Sequence, residues 1–567
     1  MKLRFPLFSA SAAAAALYLS GCAPAVADRS APPPAVAANP VLVYPASDYQ
    51  EQSPGRDGGT LHVSTPTDNG TLDLNLLADT STKWIGRLIF DNLVYLDNEG
   101  NPTPWLATSW TISPDGKTYV FRLREGVTFS DGTPFDAEAV RANLTRIRDP
   151  ATHTRMTTAY IAPYIDGKVI DAHTFQANLR EPYSAFLNVL AQSWLGLVSP
   201  KAIRENPSGL ADRPIGTGPF VVAGYTRQQG ITFVKRADYA WPPPFMHRRA
   251  GPAYLDRIEV EFVAEPLLRY TGLASGQHDL TSDAPPQNAA AIRADPRLVL
   301  SSRVNLGNPV RTTFNVTRPP FDDVRVRLAV ARAIDREALA QLIGFGEYRV
   351  KTDFLSATTR YYDPAFRDVL RYDPVAAGHL LDEAGWTGRD AAGYRTKDGQ
   401  RLGAEILVSN ATAPTAAPVA FQSDLKKIGF DLRIVVLPQG QITDRRTANN
   451  YQFIAPGYWH TNTPDGLYIV YAGAQVAPDD TGQNTSRLQD PALDTLLTPA
   501  RHSTDPAELR DLYSQAQRRL TELVPAVPLY ENQTIIAYHR YVHGVVHDTS
   551  HNTPFLACIW LAEEERR

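Results

Sequence analysis

The stretch between Thr312 and Gly344 constrains the fold of this chain most, because a strand, a proline pair and an amphipathic helix follow one another there without a break. Residues 312–316 read as a strand, and Pro319-Pro320 prevents the strand from continuing. Apolar residues then recur at spacings of three and four, which predicts one helix that begins after Asp322 or Asp323 and ends where Gly344 adopts a left-handed conformation. We expect the arginines off the apolar face to be exposed to solvent: Arg325, Arg332 and Arg336.

The N-terminal residues predict a processed segment followed by a spacer. Lys2 and Arg4 supply a small basic region, residues 7–19 supply an apolar one, and Leu19-Ser20-Gly21-Cys22 follows at once, which is typical of a secretory signal. These four residues resemble a bacterial lipobox, which implies that residues 1–21 are removed and that Cys22 carries a lipid anchor; the alternative is a cysteine that merely ends the signal. Residues 22–57 are rich in Ala and Pro and are predicted to be a linker, since they lack the large apolar side chains that a packed domain needs.

The composition excludes several classes of protein. The chain has 567 residues and a net charge of −4, and this mildly acidic balance argues against a nucleic-acid partner, which requires a basic surface. Of the two cysteines one is Cys22, so Cys558 has no intramolecular disulfide partner and is expected to be buried apolar filler. Beyond the signal, no apolar run approaches the ~20 residues that a membrane span needs.

Three segments resemble one known family. They are FNVTRPPFDDVRVRLAVARAIDRE at residues 314–337, TISPDGKTYVFRLREGVTFSDGTPF at 111–135 and PIGTGPF at 214–220, and they are similar to family 5 extracellular solute-binding proteins of ABC transporters. The resemblance implies an α/β protein with a two-lobed, periplasmic-binding-protein-like (type II) fold and an extra domain inserted in the first lobe. The implied domains are lobe I at 58–105, 214–308 and 530–567, the inserted domain at 106–213, and lobe II at 309–529.

The resemblance also implies a function without catalysis and without a cofactor. Such a protein captures a short peptide or peptide-like solute between its two lobes and delivers it to ABC permease and ATPase subunits. The expected location is the cell envelope, on the periplasmic or extracytoplasmic side, with the lipid anchor holding a monomer to the membrane. Closure of two lobes about a hinge is the expected way of binding.

The segment from Tyr451 to Tyr471 is where the resemblance places the solute. Tyr458 and Trp459 are the strongest candidates, because an aromatic pair beside a cleft offers a flat apolar wall with polar edges. Peptide-binding relatives carry an aspartate nearby that pairs with the amino terminus of the peptide, and here Thr461 and Asn462 stand near that position. Asp465 is then the nearby carboxylate, with a role either in binding a cation or in capping a helix.

Three other residues are weaker candidates for contact with the solute. Trp194 lies where the inserted region returns towards the first lobe, and its alternative is the core. Arg311 precedes the strand of the second lobe, and its planar guanidinium suits a carboxylate. Asp73 matches an aspartate in a loop that is usually structural in the family.

Two alternatives of other classes remain open. A receptor for a metal or metal chelate, of the nickel or opine type, has possible ligands in His539, His543, His547 and His551, which are four residues apart. A strand is expected there, and at ~3.3 Å per residue it separates successive histidines by ~13 Å, too far for one ion, so no metal site is assigned. A secreted hydrolase would need a nucleophile and a base, and no local motif for either is present, although catalytic triads need not be local in sequence.

Overall fold

The computed structural model describes residues 55–76, 83–97, 100–154, 156–243, 251–410, 416–459, 461–476, 482–550, 552–562 and 564. The predicted signal, the Cys22 lipidation site and most of the predicted linker therefore lie outside the described residues, as does His551. The first elements, in residues 55–104, are β1 (Thr60–Thr65), α1 (Lys83–Ile89), β2 (Val94–Leu96) and β3 (Pro102–Pro104).

The next two groups of elements complete the part of the chain before the second lobe. Residues 107–205 contain β4 (Ala107–Ile112), β5 (Thr118–Leu123), α2 (Ala137–Arg148), α3 (Met156–Tyr160), β6 (Tyr164–Asp171), β7 (Thr174–Leu179), α4 (Phe186–Leu190) and α5 (Pro200–Glu205). Residues 220–304 contain β8 (Phe220–Thr226), β9 (Gly230–Lys235), β10 (Arg257–Phe262), α6 (Pro266–Ser275), β11 (Leu280–Thr281), α7 (Ala289–Ala294) and β12 (Leu298–Val304).

The remaining elements form the second lobe and the C-terminal return to the first. Residues 310–530 contain β13 (Val310–Phe314), α8 (Val324–Ala333), α9 (Arg336–Gly344), α10 (Pro374–Glu383), β14 (Gly388–Arg389), β15 (Arg395–Lys397), β16 (Gln400–Arg401), β17 (Gly403–Ser409), α11 (Ala416–Lys427), β18 (Asp431–Leu437), α12 (Gln439–Thr447), β19 (Phe453–Gly457), α13 (Gly466–Tyr471), α14 (Pro491–His502), α15 (Pro506–Leu523) and β20 (Ala526–Tyr530). Residues 533–561 contain β21 (Gln533–His539), β22 (Val542–His543), β23 (His547–Asp548), β24 (Thr553–Pro554) and β25 (Trp560–Leu561).

Three larger sheets organise these elements. A seven-stranded sheet has the order β12-β21-β11-β1-β10-β9-β8, with β1 parallel to β10 and to β11. A five-stranded sheet has the order β18-β17-β19-β13-β20, with β17 parallel to β18 and β19, and β13 antiparallel to its two neighbours. An antiparallel sheet of order β4-β5-β7-β6 lies entirely between residues 107 and 179.

Two large hydrophobic cores correspond to the two lobes. One core buries Leu61 and Val63 of the seven-stranded sheet together with Phe121 and Phe175 of the four-stranded sheet. The other is built on the five-stranded sheet and the helices packed against it. The chain thus has the mixed α/β, two-lobed architecture that the sequence predicts, while the exact domain bounds remain a proposal. Across the described residues, no helix combines the length and the apolar character needed to cross a membrane.

The chain crosses between the two sheets where β12 leads to β13 and where β20 leads to β21. The crossing segments are hydrogen-bonded to each other, since the amide of Asn305 donates to the carbonyl of Asn532 at 2.7 Å. Next to them, Lys351 Nζ lies 2.6 Å from Asp353 Oδ1 and 3.6 Å from Glu531 Oε1, and all three side chains are buried. Strand β13 therefore begins close to the hinge between the lobes.

The single helix predicted between Asp323 and Gly344 is in fact two helices. Asp323 caps α8 as expected, with its side chain accepting from the amide of Arg325 at 2.9 Å. The helix stops at Ala333, because Ile334 is extended (φ −82°, ψ 118°) and Asp335 caps a second helix by accepting from the amide of Ala338. A capping aspartate inside the apolar repeat thus divides it into α8 and α9.

Two further details of this segment are corrected. Gly344 is still helical, and Phe345 takes the left-handed conformation (φ 49°) that ends α9. Arg336 is not exposed: only 2% of its surface is accessible, and its Nε donates to the carbonyl of Pro528 at 2.6 Å. The division of the helix turns Arg336 inward, whereas Arg325 remains exposed beside Asp323.

Candidate functional site

The two cores meet at Trp459, two residues after strand β19 of the second-lobe sheet. Trp459 is half-buried and packs against the hydrophobic cores of both lobes. Its ring meets that of Tyr160, at the end of α3 in the first lobe, edge-on with centroids 5.8 Å apart. Tyr160 in turn stacks on Trp194, with centroids 6.2 Å apart. These three rings form an aromatic contact that spans the two lobes.

Tyr458 belongs to the same contact. Burial raises the pKa of the Tyr160 hydroxyl well above its ordinary value, and the nearby Tyr458 hydroxyl raises it further. A phenol whose ionisation is suppressed in this way remains a hydrogen-bond donor at any physiological pH. The geometry thus brings Tyr458, Trp459 and Trp194 into one region, with Tyr160 between them.

Hydrogen bonds also cross between the lobes beside this aromatic contact. Tyr183 Oη donates to Asp465 Oδ2 at 2.9 Å, and the bond is buried. Asn462 Nδ2 donates to the carbonyl of Asn188 at 3.0 Å, and the amide of Ser184 donates to the carbonyl of Arg501 at 2.9 Å. The two lobes are therefore in direct contact in this structure.

Asp465 is used within this interface. Its side chain does not cap α13, which begins one residue later, so the capping alternative is wrong. Its Oδ1 lies 3.8 Å from Arg501 Nε, and the Arg501 guanidinium lies 4.4 Å and 4.3 Å from the ring centroids of Tyr183 and Tyr468. Burial opposes the charge on Arg501, but Asp465 and the two tyrosines outweigh it and hold the pKa of Arg501 above its ordinary value.

We expect Tyr183→Phe to weaken solute binding about tenfold, because a buried hydrogen bond to a carboxylate contributes on the order of 1.5–3 kcal/mol and this one exists only when the lobes touch. Titration calorimetry with the solute that the protein carries measures the effect. Tyr225→Phe is the matched control, since its hydroxyl donates to Asp68 at 2.6 Å within one lobe. Equal affinities of the Tyr183 variant and the wild type would contradict a role of this bond in closure.

Arg311 is buried on β13, with 7% of its surface accessible. Its guanidinium lies over the Tyr471 ring, 5.7 Å from the centroid. Within the described part of the chain its Nε and Nη1 atoms have no hydrogen-bond acceptor. The prediction of Arg311 as a partner for a carboxylate stays a prediction.

Other polar atoms near Trp459 and Arg311 share this property. Each is buried and lacks a hydrogen-bond partner among the described residues, whereas buried polar groups of proteins are nearly always paired. Trp459 and Asn462 of this set lie at contacts between the two lobes. The atoms are Asn308 Oδ1, Arg311 Nε and Nη1, Trp459 Nε1 and Asn462 Oδ1.

Asp73 lies apart from this group. It is 1% exposed and forms a buried ion pair with Arg146 of α2, in which Arg146 Nη1 donates to Oδ1 at 3.2 Å and Nη2 contacts Oδ2. Both carboxylate oxygens are thus used inside the first lobe, which favours the structural interpretation. Trp194 is fully buried and supports Tyr160 from the core side.

The sequence did not predict Tyr160, Tyr183 or Arg501 as parts of the site. None of them lies in a recognisable motif, because each gains its position from contacts between segments far apart in the chain. Tyr183 and Asp465 are 282 residues apart. Only the adjacent aromatic residues Tyr458 and Trp459 gave a local signal.

The histidine series does not form a metal site in the described residues. His539 Nε2 is 2.7 Å from the carbonyl of Leu273, and His543 stacks on Trp560 at 4.3 Å. His547 is buried, and burial together with Arg303 lowers its pKa well below the ordinary value. Among the residues with described positions, no three His, Cys, Asp or Glu side chains are grouped so that they can hold an ion.

Comparison with known families identifies the class of this protein. A profile of the bacterial extracellular solute-binding proteins, family 5, matches residues 101–478, so the chain belongs to this family. Members of this family work with ABC permease and ATPase subunits.

Individual relatives are similar over most of the chain. The glutathione-binding protein GsiB of Shigella dysenteriae serotype 1 is 29% identical over 484 residues, covering 84% of this chain and 89% of the relative. GsiB of Escherichia coli strain K12 is likewise 29% identical over the same length.

Solved structures show the same fold. DppA of Helicobacter pylori, in complex with the peptide STSA, is 24% identical with a TM-score of 0.75, and the match covers 89% of this chain and 98% of that one. NikA of Brucella suis, in complex with Fe(III)-EDTA, is 22% identical with a TM-score of 0.77, covering 89% and 100%. AgaA of A. tumefaciens R10, in complex with agropinic acid, is 25% identical with a TM-score of 0.73, covering 88% and 98%.

Proposed function

We propose that this solute-binding protein carries a short peptide or peptide-like solute, which it encloses between its two lobes beside Tyr458 and Trp459. The observation that supports this proposal most is the set of buried, unpaired polar atoms between the lobes, which includes both donors and acceptors. A peptide supplies both kinds of group along its backbone. The similarity to glutathione-binding GsiB points to the same class of solute.

Within this site each predicted residue has a proposed part. Trp459 and Tyr458 provide apolar contact with the solute, and Arg311 binds an anionic group on it. Asp465 holds the lobes together through Tyr183 and Arg501, so that its proposed contribution to the solute is indirect. No catalytic step is part of the proposal.

Native mass spectrometry of the protein purified from its own cells tests the proposal directly. We expect a bound solute with the mass of a short peptide or of glutathione, and calorimetry with that compound should give 1:1 binding. A co-purifying opine or metal chelate would favour the alternative of that type instead. Turnover of peptide or ester substrates would contradict a receptor and favour a secreted hydrolase.

The membrane attachment is also a proposal. We infer that the mature protein is a monomer held on the outer side of a membrane by lipid on Cys22, since two acyl chains on one residue give stable anchoring. Cys22→Ser is expected to move the protein from the membrane fraction to the soluble fraction of the envelope and to abolish labelling with radioactive palmitate. Full retention in washed membranes would contradict this anchor. Cys558→Ser is the control, because that cysteine is buried in the first-lobe core.

A further inference from the structure

We propose that the site between the lobes selects solutes by a carboxylate group and does not require a free ammonium group on them. This inference rests on the proposed function, because it assigns the chemical class of the solute at the same site. At the interface one buried cation lacks an anionic partner, whereas the buried acids have cationic partners.

The cation that lacks an anionic partner among the described residues is Arg311. Its guanidinium is a cationic group with donors alone, it is largely removed from water, and its Nε and Nη1 have no acceptor in the described protein. A buried charge without a counter-ion is costly, so a partner anion has to come from the solute. Either open N–H group can donate a charge-assisted hydrogen bond to a carboxylate oxygen. The Tyr471 ring beneath the guanidinium fixes its orientation.

The carboxylates near this position are, by contrast, already neutralised. Asp465 accepts from Tyr183 and lies beside Arg501. Asp353 and Glu531 lie within ion-pair distance of Lys351. Glu531 directly follows β20, the strand that pairs with β13.

Glu181, farther out at the lobe boundary, has its Oε2 3.6 Å from His502 Nε2 and is half-exposed. An ammonium group of a solute would therefore compete with an existing partner at each of the three buried acids, Asp353, Asp465 and Glu531, whereas a carboxylate finds Arg311 without an anionic partner. The balance of charge thus favours an acid whose nitrogen end is neutral or exposed to solvent.

Four probes with matched skeletons test this assignment on the full mature chain by calorimetry: dialanine, N-acetyl-dialanine, dialanine amide and reduced glutathione. We expect N-acetyl-dialanine to bind within about threefold of dialanine, and dialanine amide, which lacks the carboxylate, to bind at least about tenfold more weakly. Glutathione is expected to bind at least as tightly as dialanine, because it carries two carboxylates.

The variant Arg311→Gln links the effect to this residue. It should weaken the binding of the two acids at least about tenfold and leave the amide unchanged, so that acid and amide become equal; Arg311→Lys should retain part of the preference. Arg318→Gln, an exposed arginine after the same strand, is the control. If Arg311→Gln does not fold, as judged by its thermal midpoint, Arg311→Lys and the wild-type probe series decide the question.

The outcomes separate this inference from the proposed function. If the amide binds as tightly as the acids, or if acetylation abolishes binding, the inference is overturned while a peptide receptor remains supported. If none of the four probes binds, the proposed function itself fails, and the inference fails with it. A preference for acids that Arg311→Lys and Arg311→Gln leave unchanged would overturn the assignment to Arg311.

Discussion

Trp459→Ala is expected to raise the dissociation constant of the bound solute about 30-fold or more, which corresponds to about 2 kcal/mol. The reason is its position: this side chain packs against both cores and meets Tyr160 edge-on. Its removal deletes apolar contact to the solute and the contact between the lobes at the same time. Calorimetry with the co-purifying solute measures the change.

The control for this prediction is Trp386→Ala. Trp386 is also half-buried but packs against the second-lobe core alone, so its loss should lower the thermal midpoint without weakening binding beyond about threefold. If the two tryptophan variants bind equally well, Trp459 does not contribute to the solute site, and the position of the site has to be reconsidered.

The second large effect concerns stability. Arg87→Met is expected to lower the free energy of unfolding by about 3–5 kcal/mol, because it leaves Asp548 buried without its counter-ion. Arg87 is 1% exposed, and its Nε, Nη1 and Nη2 donate to Asp548 Oδ2, Asn92 Oδ1 and the carbonyl of Ala191 at 2.5, 2.5 and 2.6 Å. This single side chain thus joins helix α1 to the C-terminal strand β23. Denaturant unfolding followed by tryptophan fluorescence measures the loss.

Two further variants make this prediction specific. Arg141→Met removes an exposed pair with Glu138 on α2 and should cost less than about 1 kcal/mol. Adding Asp548→Asn to Arg87→Met should recover part of the loss, since the buried charge is then removed as well. A cost below about 1 kcal/mol for Arg87→Met would contradict the role given to this ion pair.

The resemblance of three segments to a known family predicted the class of fold, and local patterns predicted single elements within it. The alternation before Pro319 and the apolar repeat after Asp323 place a strand and helical structure correctly. The prediction of one continuous helix was wrong. The repeat of apolar residues passes through Ile334 without interruption, and only the side-chain hydrogen bond of Asp335 shows that a new helix begins. The burial of Arg336 follows from this break and was missed with it.

The site was predicted less completely, for a physical reason. Tyr458 and Trp459 were noticed because two adjacent aromatic residues follow a strand. Tyr160, Tyr183 and Arg501 were not noticed, since their roles come from contacts across the lobe boundary, which no pattern within one segment encodes. Asp73 was a weaker candidate at a position that is usually structural in the family, and its buried ion pair with Arg146 favours that structural role.

The short path from the crossing segments to β13 has a consequence for the order of events in solute capture. A residue near a hinge moves little when two rigid bodies rotate, so Arg311 and Tyr471 should keep their arrangement while the lobes are apart. The incoming acid then meets its cationic partner first, and the rings of Tyr160 and Trp459 come together afterwards. In stopped-flow measurements, Arg311→Lys should accordingly slow association, whereas Tyr183→Phe should accelerate release; the opposite pattern would reverse this sequence.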